Sequence, residues 1–275
     1  MKKFAILFLF IVNAFSLNVA ALELEGVWQQ GAVIVGRVAD GVRVEFADRE
    51  LLVTESGQFV IGLGRDADPQ ATLTTITADG VREEHVFEVA RREYNIQRVT
   101  GVPQRTVEPS PEQVERSRRE AQLVAKARDV QLPATDFAQK FQWPLTGRIS
   151  GVYGSQRFYN GKPGSPHYGV DIAAPVGTEV RAPAGGVVTL VHSDMFFSGG
   201  TLIVDHGHGL SSTFIHLHKI LVKQGDRVEQ GQKIAQVGAT GRATGPHLDW
   251  RMNWFEQRVD PQLLVGDMPA SGQKK

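Results

Sequence analysis

From residue 22 onward the chain is written in short apolar runs, and glycine interrupts nearly all of them; the 275 residues include 29 glycines. Ala32-Val33-Ile34-Val35, Val42 to Phe46, Leu51-Leu52-Val53-Thr54 and Phe59-Val60-Ile61 are too short for helices and rich in β-branched or aromatic residues. Gly41, Gly57 and Gly62 mark their breaks. Ala71 to Thr77 and His85 to Val89 flank Asp79-Gly80, a hairpin signal. Runs recurring about every ten residues predict a small β-sandwich-like domain over residues 22–100. It reads as an accessory binding or spacing module, with His85 on a strand surface. Residues 101–140 read as a linker. Ser110-Pro111-Glu112-Gln113 carries the capping-box pattern and opens a helix of about 111–131, with Pro133 beyond it. From residue 141 the β texture returns in Gly186 to Val191, Thr201 to Val204 and Lys233 to Val237, with no helical period. The fold class is therefore mainly β, with a second all-β domain over 141–266 and a disordered tail over 267–275.

Composition narrows the function. Thirty Lys+Arg balance thirty Asp+Glu, so the basic footprint that nucleic-acid binding requires is missing. Lys2-Lys3, the apolar stretch Phe4 to Val12 and Val19-Ala20-Ala21 have the order of a secretory signal peptide, residues 1–21. No later stretch is long and apolar enough to span a bilayer, which takes about 20 residues. An exported protein of the periplasm or cell envelope is expected. With no Cys, a metal site would have to use His and carboxylates.

Seven of the eight His lie in the second β-region: His167, His192, His206, His208, His216, His218 and His247. His167 and Asp171 are four residues apart. A straight strand would separate their Cα atoms by about 13 Å, so one ion reaches both only where the chain bends, as Gly169 permits. His216-Leu217-His218 and His247-Leu248-Asp249 place polar groups at i and i+2, on one side of a strand, with leucine on the other. Asp205-His206-Gly207-His208-Gly209 reads as a tight turn. Gly238 to Gly245 lacks the Lys-Ser/Thr ending of a phosphate loop and reads as a hairpin near the site. No Gly-x-Ser-x-Gly elbow supports a serine nucleophile.

His167-x-x-x-Asp171, Ile215-His216-Leu217 and Gly245-Pro246-His247-Leu248-x-Trp250 together resemble the lysostaphin-type (LytM-like) zinc endopeptidases that cut peptidoglycan cross-bridges. Gly169 to Thr178, Ala182 to Val188 and Val222 to Gln232 support the likeness, which covers about residues 143–261. The resemblance implies a largely antiparallel β-fold with a narrow groove, one Zn²⁺ per chain at its floor and peptidoglycan peptide as substrate. Position by position it makes His167 and Asp171 metal ligands, and His216 and His247 the catalytic pair around the attacking water and the developing oxyanion. Asp249 stands where the family's usual third ligand is His. Aspartate also ligates zinc, but a His–Asp–Asp set cancels the ion's formal charge and leaves it a weaker Lewis acid. His218 is a candidate substitute ligand. The rival reading is a LytM-like module that binds cell wall or activates an amidase without cutting. No regulatory protein partner can be named from the sequence.

Overall fold

The computed structural model describes residues 22–99 and 110–269. The expected signal segment 1–21, the linker stretch 100–109 and residues 270–275 of the expected tail lie outside the described residues.

The first half forms β1 (Glu23–Glu25), β2 (Val33–Arg37), β3 (Arg43–Phe46), β4 (Arg49–Glu50), β5 (Gln58–Gly62), β6 (Gln70–Ile76), β7 (Arg82–Glu88) and β8 (Ile96–Val99). Two antiparallel sheets result, ordered β1-β2-β5 and β4-β3-β6-β7. Alternating burial along β3 leaves Val44 and Phe46 inside, as expected for a sheet wet on one face. The run Leu51 to Thr54 is not a strand. The β3–β4 hairpin turns through left-handed Ala47 and Asp48, and the Thr54 hydroxyl then accepts from the Gln58 N–H at 2.9 Å, closing a second turn.

Helix α1 (Pro111–Arg128) opens with the reciprocal cap its sequence pattern predicts: the Gln113 N–H donates to Ser110 Oγ at 3.3 Å, and the Ser110 N–H to Gln113 Oε1 at 2.9 Å. It stops at Arg128, ahead of the expected residue 131, where the Asp129 N–H closes on the Ala125 carbonyl. Ala127 and Val124 pack against Leu190, Met195 and Ile203, which seats the helix on the large sheet. Among the described residues no helix is long and apolar enough to cross a membrane.

The second half supplies β9 (Arg148–Gly151), β10 (Gln156–Tyr159), β11 (Lys162–Pro163), β12 (Gly169–Ala173), β13 (Glu179–Arg181), β14 (Gly186–Met195), β15 (Gly199–Asp205), β16 (Leu210–Ile220), β17 (Arg227–Val228), β18 (Lys233–Val237), β19 (His247–Trp254) and β20 (Gln257–Val259). The main path of the large sheet runs β17-β14-β15-β16-β19-β12-β9. A short helix α2 (Pro261–Val265) follows, unanticipated from the sequence although Asp260 caps it and Pro261 begins it. The fold is mainly β and antiparallel; among the described strands β8 pairs parallel with β10. That pairing joins the halves, and their cores merge: Phe59, Ile61 and Leu73 belong to the same buried cluster as Ile172, Leu248 and Trp250.

Asp205, at the end of β15, is fully buried; its Oδ1 accepts from the Gly207 N–H at 2.8 Å, while Oδ2 has no partner. Burial pushes this carboxyl up to about 7. The unfolded chain releases the proton near pH 4, so stability falls as pH rises from there to about 7 and stays low above. Asp205→Asn should stabilise the fold at pH 8 by up to about 4 kcal/mol and by little at pH 4, read from urea midpoints.

Candidate metal and catalytic site

Strands β12 and β19 pair in a register that sets Asp171 opposite Asp249, Ala173 opposite His247 and Gly169 opposite Arg251. Directly opposed residues share a face, so both carboxylates emerge together while Ile172, Leu248 and Trp250 enter the core. His167 precedes β12. The bend at its entry brings Nε2 to 2.9 Å from Asp171 Oδ1 and 3.6 Å from Asp249 Oδ2. One ligand atom from each of the three residues lies within 4.8 Å of the others. Two glycines clear the space: a Cβ on Gly169 would stand 2.5 Å from Asp249 Oδ1, and one on Gly151 would overlap the Asp171 carboxylate.

His216 arrives by a different route. Ile215 pairs with Asp249, so regular alternation would turn His216 to the far side of the sheet. Its backbone is left-handed instead, with φ of +63°, a conformation costly for a non-glycine residue and associated with functional sites. The His216 N–H donates to the Ser198 carbonyl at 2.8 Å, which helps hold the distortion. The result is a pair of imidazoles, His216 and His247, with ring centroids 4.8 Å apart. Each is oriented by a backbone carbonyl at 2.8 Å: Nδ1 of His216 faces Thr240 O, and Nδ1 of His247 faces Gly245 O. A carbonyl only accepts, so Nδ1 carries hydrogen in both rings and Nε2 is the nitrogen free for chemistry. His247 Nε2 lies 3.8 Å from Asp171 Oδ1. Burial pushes the His216 imidazole below its ordinary value, which favours the neutral ring.

Arg251 was not singled out from the sequence. It stands two residues beyond Asp249 on the same face, so one more step of the His247-x-Asp249 alternation reaches it. Its Nε donates to Asp249 Oδ1 at 2.9 Å, and its Nη2 to Oδ2 at 2.6 Å. Burial alone would raise the Asp249 carboxyl, but Arg251 and His167 outweigh it and keep the group well below the ordinary carboxylate range. Burial likewise pushes His167 down, and its hydrogen bonds to Asp171 and Asp249 reverse this, raising it to about 10. In this arrangement a proton on His167 occupies the space between two carboxylates. A divalent cation is suited to the same position: each carboxylate oxygen has two lone pairs, so Arg251 does not exhaust Asp249, and nitrogen with oxygen donors suits zinc-like ions.

The other second-half histidines go elsewhere. His218 is exposed and outside the three-residue cluster, because the left-handed turn at His216 breaks the i, i+2 relation expected of them. His206 and His208 are buried. His206 bridges the Gly185 carbonyl and Ser212 Oγ, which in turn accepts from the Trp250 indole at 3.2 Å, so it supports β19 from behind. His192 is half-buried, and His85 on β7 meets Thr75 Oγ1 at 3.1 Å.

Comparison with known proteins gives a consistent set. Residues 165–261 match the model of peptidase family M23. The peptidoglycan DD-endopeptidases ShyA and ShyB of Vibrio cholerae are 39% and 36% identical over 138 and 135 residues. These stretches are 50% and 49% of this chain but only 32% and 28% of those proteins, so the chain spans less than a third of their length. A crystal structure of a Pseudomonas aeruginosa protein assigned to peptidase M23 is 32% identical, superposes with a TM-score of 0.69, and is covered over 95% of its length by 87% of this chain.

Gly169→Ala tests whether cleared space matters to the cluster. The added methyl displaces the Asp249 carboxylate, and divalent-metal affinity should fall about 10–100-fold in chelator competition, the loss typical when support of a ligand is disturbed.

Proposed function

Because the chain belongs to peptidase family M23, we propose that it is an exported zinc endopeptidase of the bacterial cell envelope that hydrolyses peptide cross-links of peptidoglycan. The observation that carries this reading is the convergence of His167, Asp171 and Asp249 beside the His216–His247 pair. His167, Asp171 and Asp249 would hold one Zn²⁺, which when bound supplies a Lewis acid for the scissile carbonyl and a more acidic water. The similarity to ShyA and ShyB supports peptidoglycan as the substrate and the envelope as the location. Residues 1–21 would serve as the export signal, 22–100 as an accessory domain, 101–140 as a linker and 141–266 as the peptidase domain.

The chain's own groups divide the remaining work. His216, kept neutral by burial and held by Thr240, presents Nε2 as the acceptor for the proton lost by the attacking water. Once protonated, it can pass that proton to the departing amine. His247, fixed through Nδ1 by Gly245, presents Nε2 towards the ligand cluster, where the imidazolium form, with hydrogen on both nitrogens, would donate to the oxyanion developing on the scissile carbonyl. Arg251 holds Asp249 in orientation for the ion and leaves it ionised.

The purified chain should bind one zinc per molecule and release peptides from peptidoglycan sacculi, and Asp249→Ala should lose both. A wild-type protein that binds no metal and releases nothing overturns the reading and favours the non-cutting wall module. His216→Ala should keep its zinc and lose about 10²–10⁴ in kcat, the usual contribution of a general base. In the wild type the acidic limb of kcat/KM should lie below pH 6.5, the ordinary imidazole value, because a lowered pKa keeps His216 neutral further into acid.

A further inference from the structure

Beneath α1, on the sheet face that carries Asp249, lies a cavity of about 750 Å³. Arg128 from the end of α1, Arg251 from β19 and Arg258 from β20 line it together with Thr213. Arg251 is committed to Asp249. The other two have no carboxylate: among the described residues neither Arg128 nor Arg258 forms an ion pair. Arg128 Nη2 donates to Thr213 Oγ1 at 2.9 Å, while its Nε is buried without a partner. Arg258 reaches only the Asn253 amide oxygen, at 3.3 Å, and the face of Tyr168. Of the acidic residues on the cavity wall, Glu120 pairs with Arg116 and Glu256 with Arg49, and Asp129 is exposed at the rim.

Such an arrangement is costly without a ligand. Buried guanidiniums are ordinarily paired. Burial, followed by repulsion from Arg251, lowers Arg258 to about 10, and burial with repulsion from Arg258 and Arg251 pulls Arg128 well below its usual range. A planar anion satisfies both guanidiniums through their paired N–H groups. Its source follows from position. Two residues along a strand is about 7 Å, so the Arg251 wall of the cavity stands one or two peptide residues along β19 from Asp249. A wall peptide with its scissile bond at the metal cluster would bring one of its free carboxylates there.

We propose that this cavity is a substrate subsite that binds a free carboxylate of the wall peptide through Arg128 and Arg258, with Arg251 shared between the subsite and Asp249. The inference rests on the peptidoglycan reading above and adds a specificity determinant to it. It also explains why two half-buried arginines are kept without a carboxylate: the bound peptide supplies the missing charge.

The test compares binding of a cross-linked wall-peptide dimer with that of the same dimer bearing amidated carboxylates, both measured on the full chain made metal-free. The free acid should bind at least tenfold tighter. Arg128→Gln/Arg258→Gln should bind acid and amide alike while retaining wild-type zinc stoichiometry, and Arg258→Lys should keep part of the discrimination. Arg128→Gln should melt no lower than the wild type, since it removes a half-buried cation that has no carboxylate partner; a purely structural arginine would lower the melting temperature. Equal binding of acid and amide by the wild type overturns the subsite, as does discrimination that survives in the double variant. Inorganic phosphate binding as tightly as the dimer also overturns it, by making the cavity a general anion site. Peptide release from sacculi with no acid–amide preference would remove the subsite and leave the hydrolase standing. Acid-selective binding with no release would remove the hydrolase alone.

Discussion

The site depends on one register. With Asp171 opposite Asp249, two carboxylates are fixed on one face by backbone hydrogen bonds rather than by flexible side chains. Because strand side chains alternate with period two, a slip of β19 by one residue would send the Asp249 carboxylate into the core and bring Leu248 or Trp250 out. The depth of burial of Ile172, Leu248, Trp250 and Met252 makes that slip prohibitive. Gly151 and Gly169 complete the constraint, since any side chain there would occupy the place of a carboxylate. The hydrophobic pattern behind the sheet therefore sets the geometry of the two carboxylates in front of it.

Facing carboxylates repel, and cations bound to them relieve the strain. His167 serves from one side and Arg251 from the other. Arg251 also bears on the aspartate at position 249, where the resemblance to the lysostaphin-type enzymes implies a histidine. A His–Asp–Asp set with a divalent ion is formally neutral, which by itself would weaken polarisation of a bound carbonyl. The guanidinium in direct contact with Asp249 restores one positive charge, the same total as a His–His–Asp set. The aspartate and the arginine are best understood as a pair, each making the other tolerable in a buried place.

Much of this was legible in the sequence because the relevant signals are local. Period-two alternation marks the strands, Ser110 to Gln113 marks the helix start, and the spacings around His167, His216 and His247 mark the cluster. The signals that failed were those that tertiary geometry overrides. A straight-strand reading groups His216 with His218, whereas the left-handed backbone at His216 turns one inward and leaves the other exposed. Leu51 to Thr54 has strand composition, but its two ends bond to different strands, the Leu51 N–H to the Val44 carbonyl and the Thr54 N–H to the Gln58 carbonyl, so no continuous ladder runs through it. The burial of His206 and His208 could not be read from a Gly-rich turn, because it is created by α1's downstream segment and by Trp250 arriving from distant sequence. Arg251 was missed for a simpler reason: arginine on a strand face ordinarily snorkels to water, and only the register reveals the carboxylate waiting beside it.

The first half of the chain contributes to the site through β19. Trp254, at the end of that strand, packs edge-on against Phe46 with centroids 5.8 Å apart, and Gly62 lies so close to it that a Cβ would overlap the tryptophan. The Asp260 N–H donates to the Gly31 carbonyl at 2.7 Å, Arg92 pairs with Asp260 at 2.9 Å, and Arg65 donates to the Gly154 carbonyl. The Trp254 packing clamps β19, which carries His247, Asp249 and Arg251, at the end remote from the His167–Asp171–Asp249 cluster, and the polar contacts fix the segments beside it. A strand held at one end by a shared core and at the other by its neighbours β12 and β16 has little freedom to twist, and ligand positions on it gain the precision that a site on loops would lack. Whatever else residues 22–99 bind, burying Phe46 and Gly62 against Trp254 makes them part of the support for the chemistry.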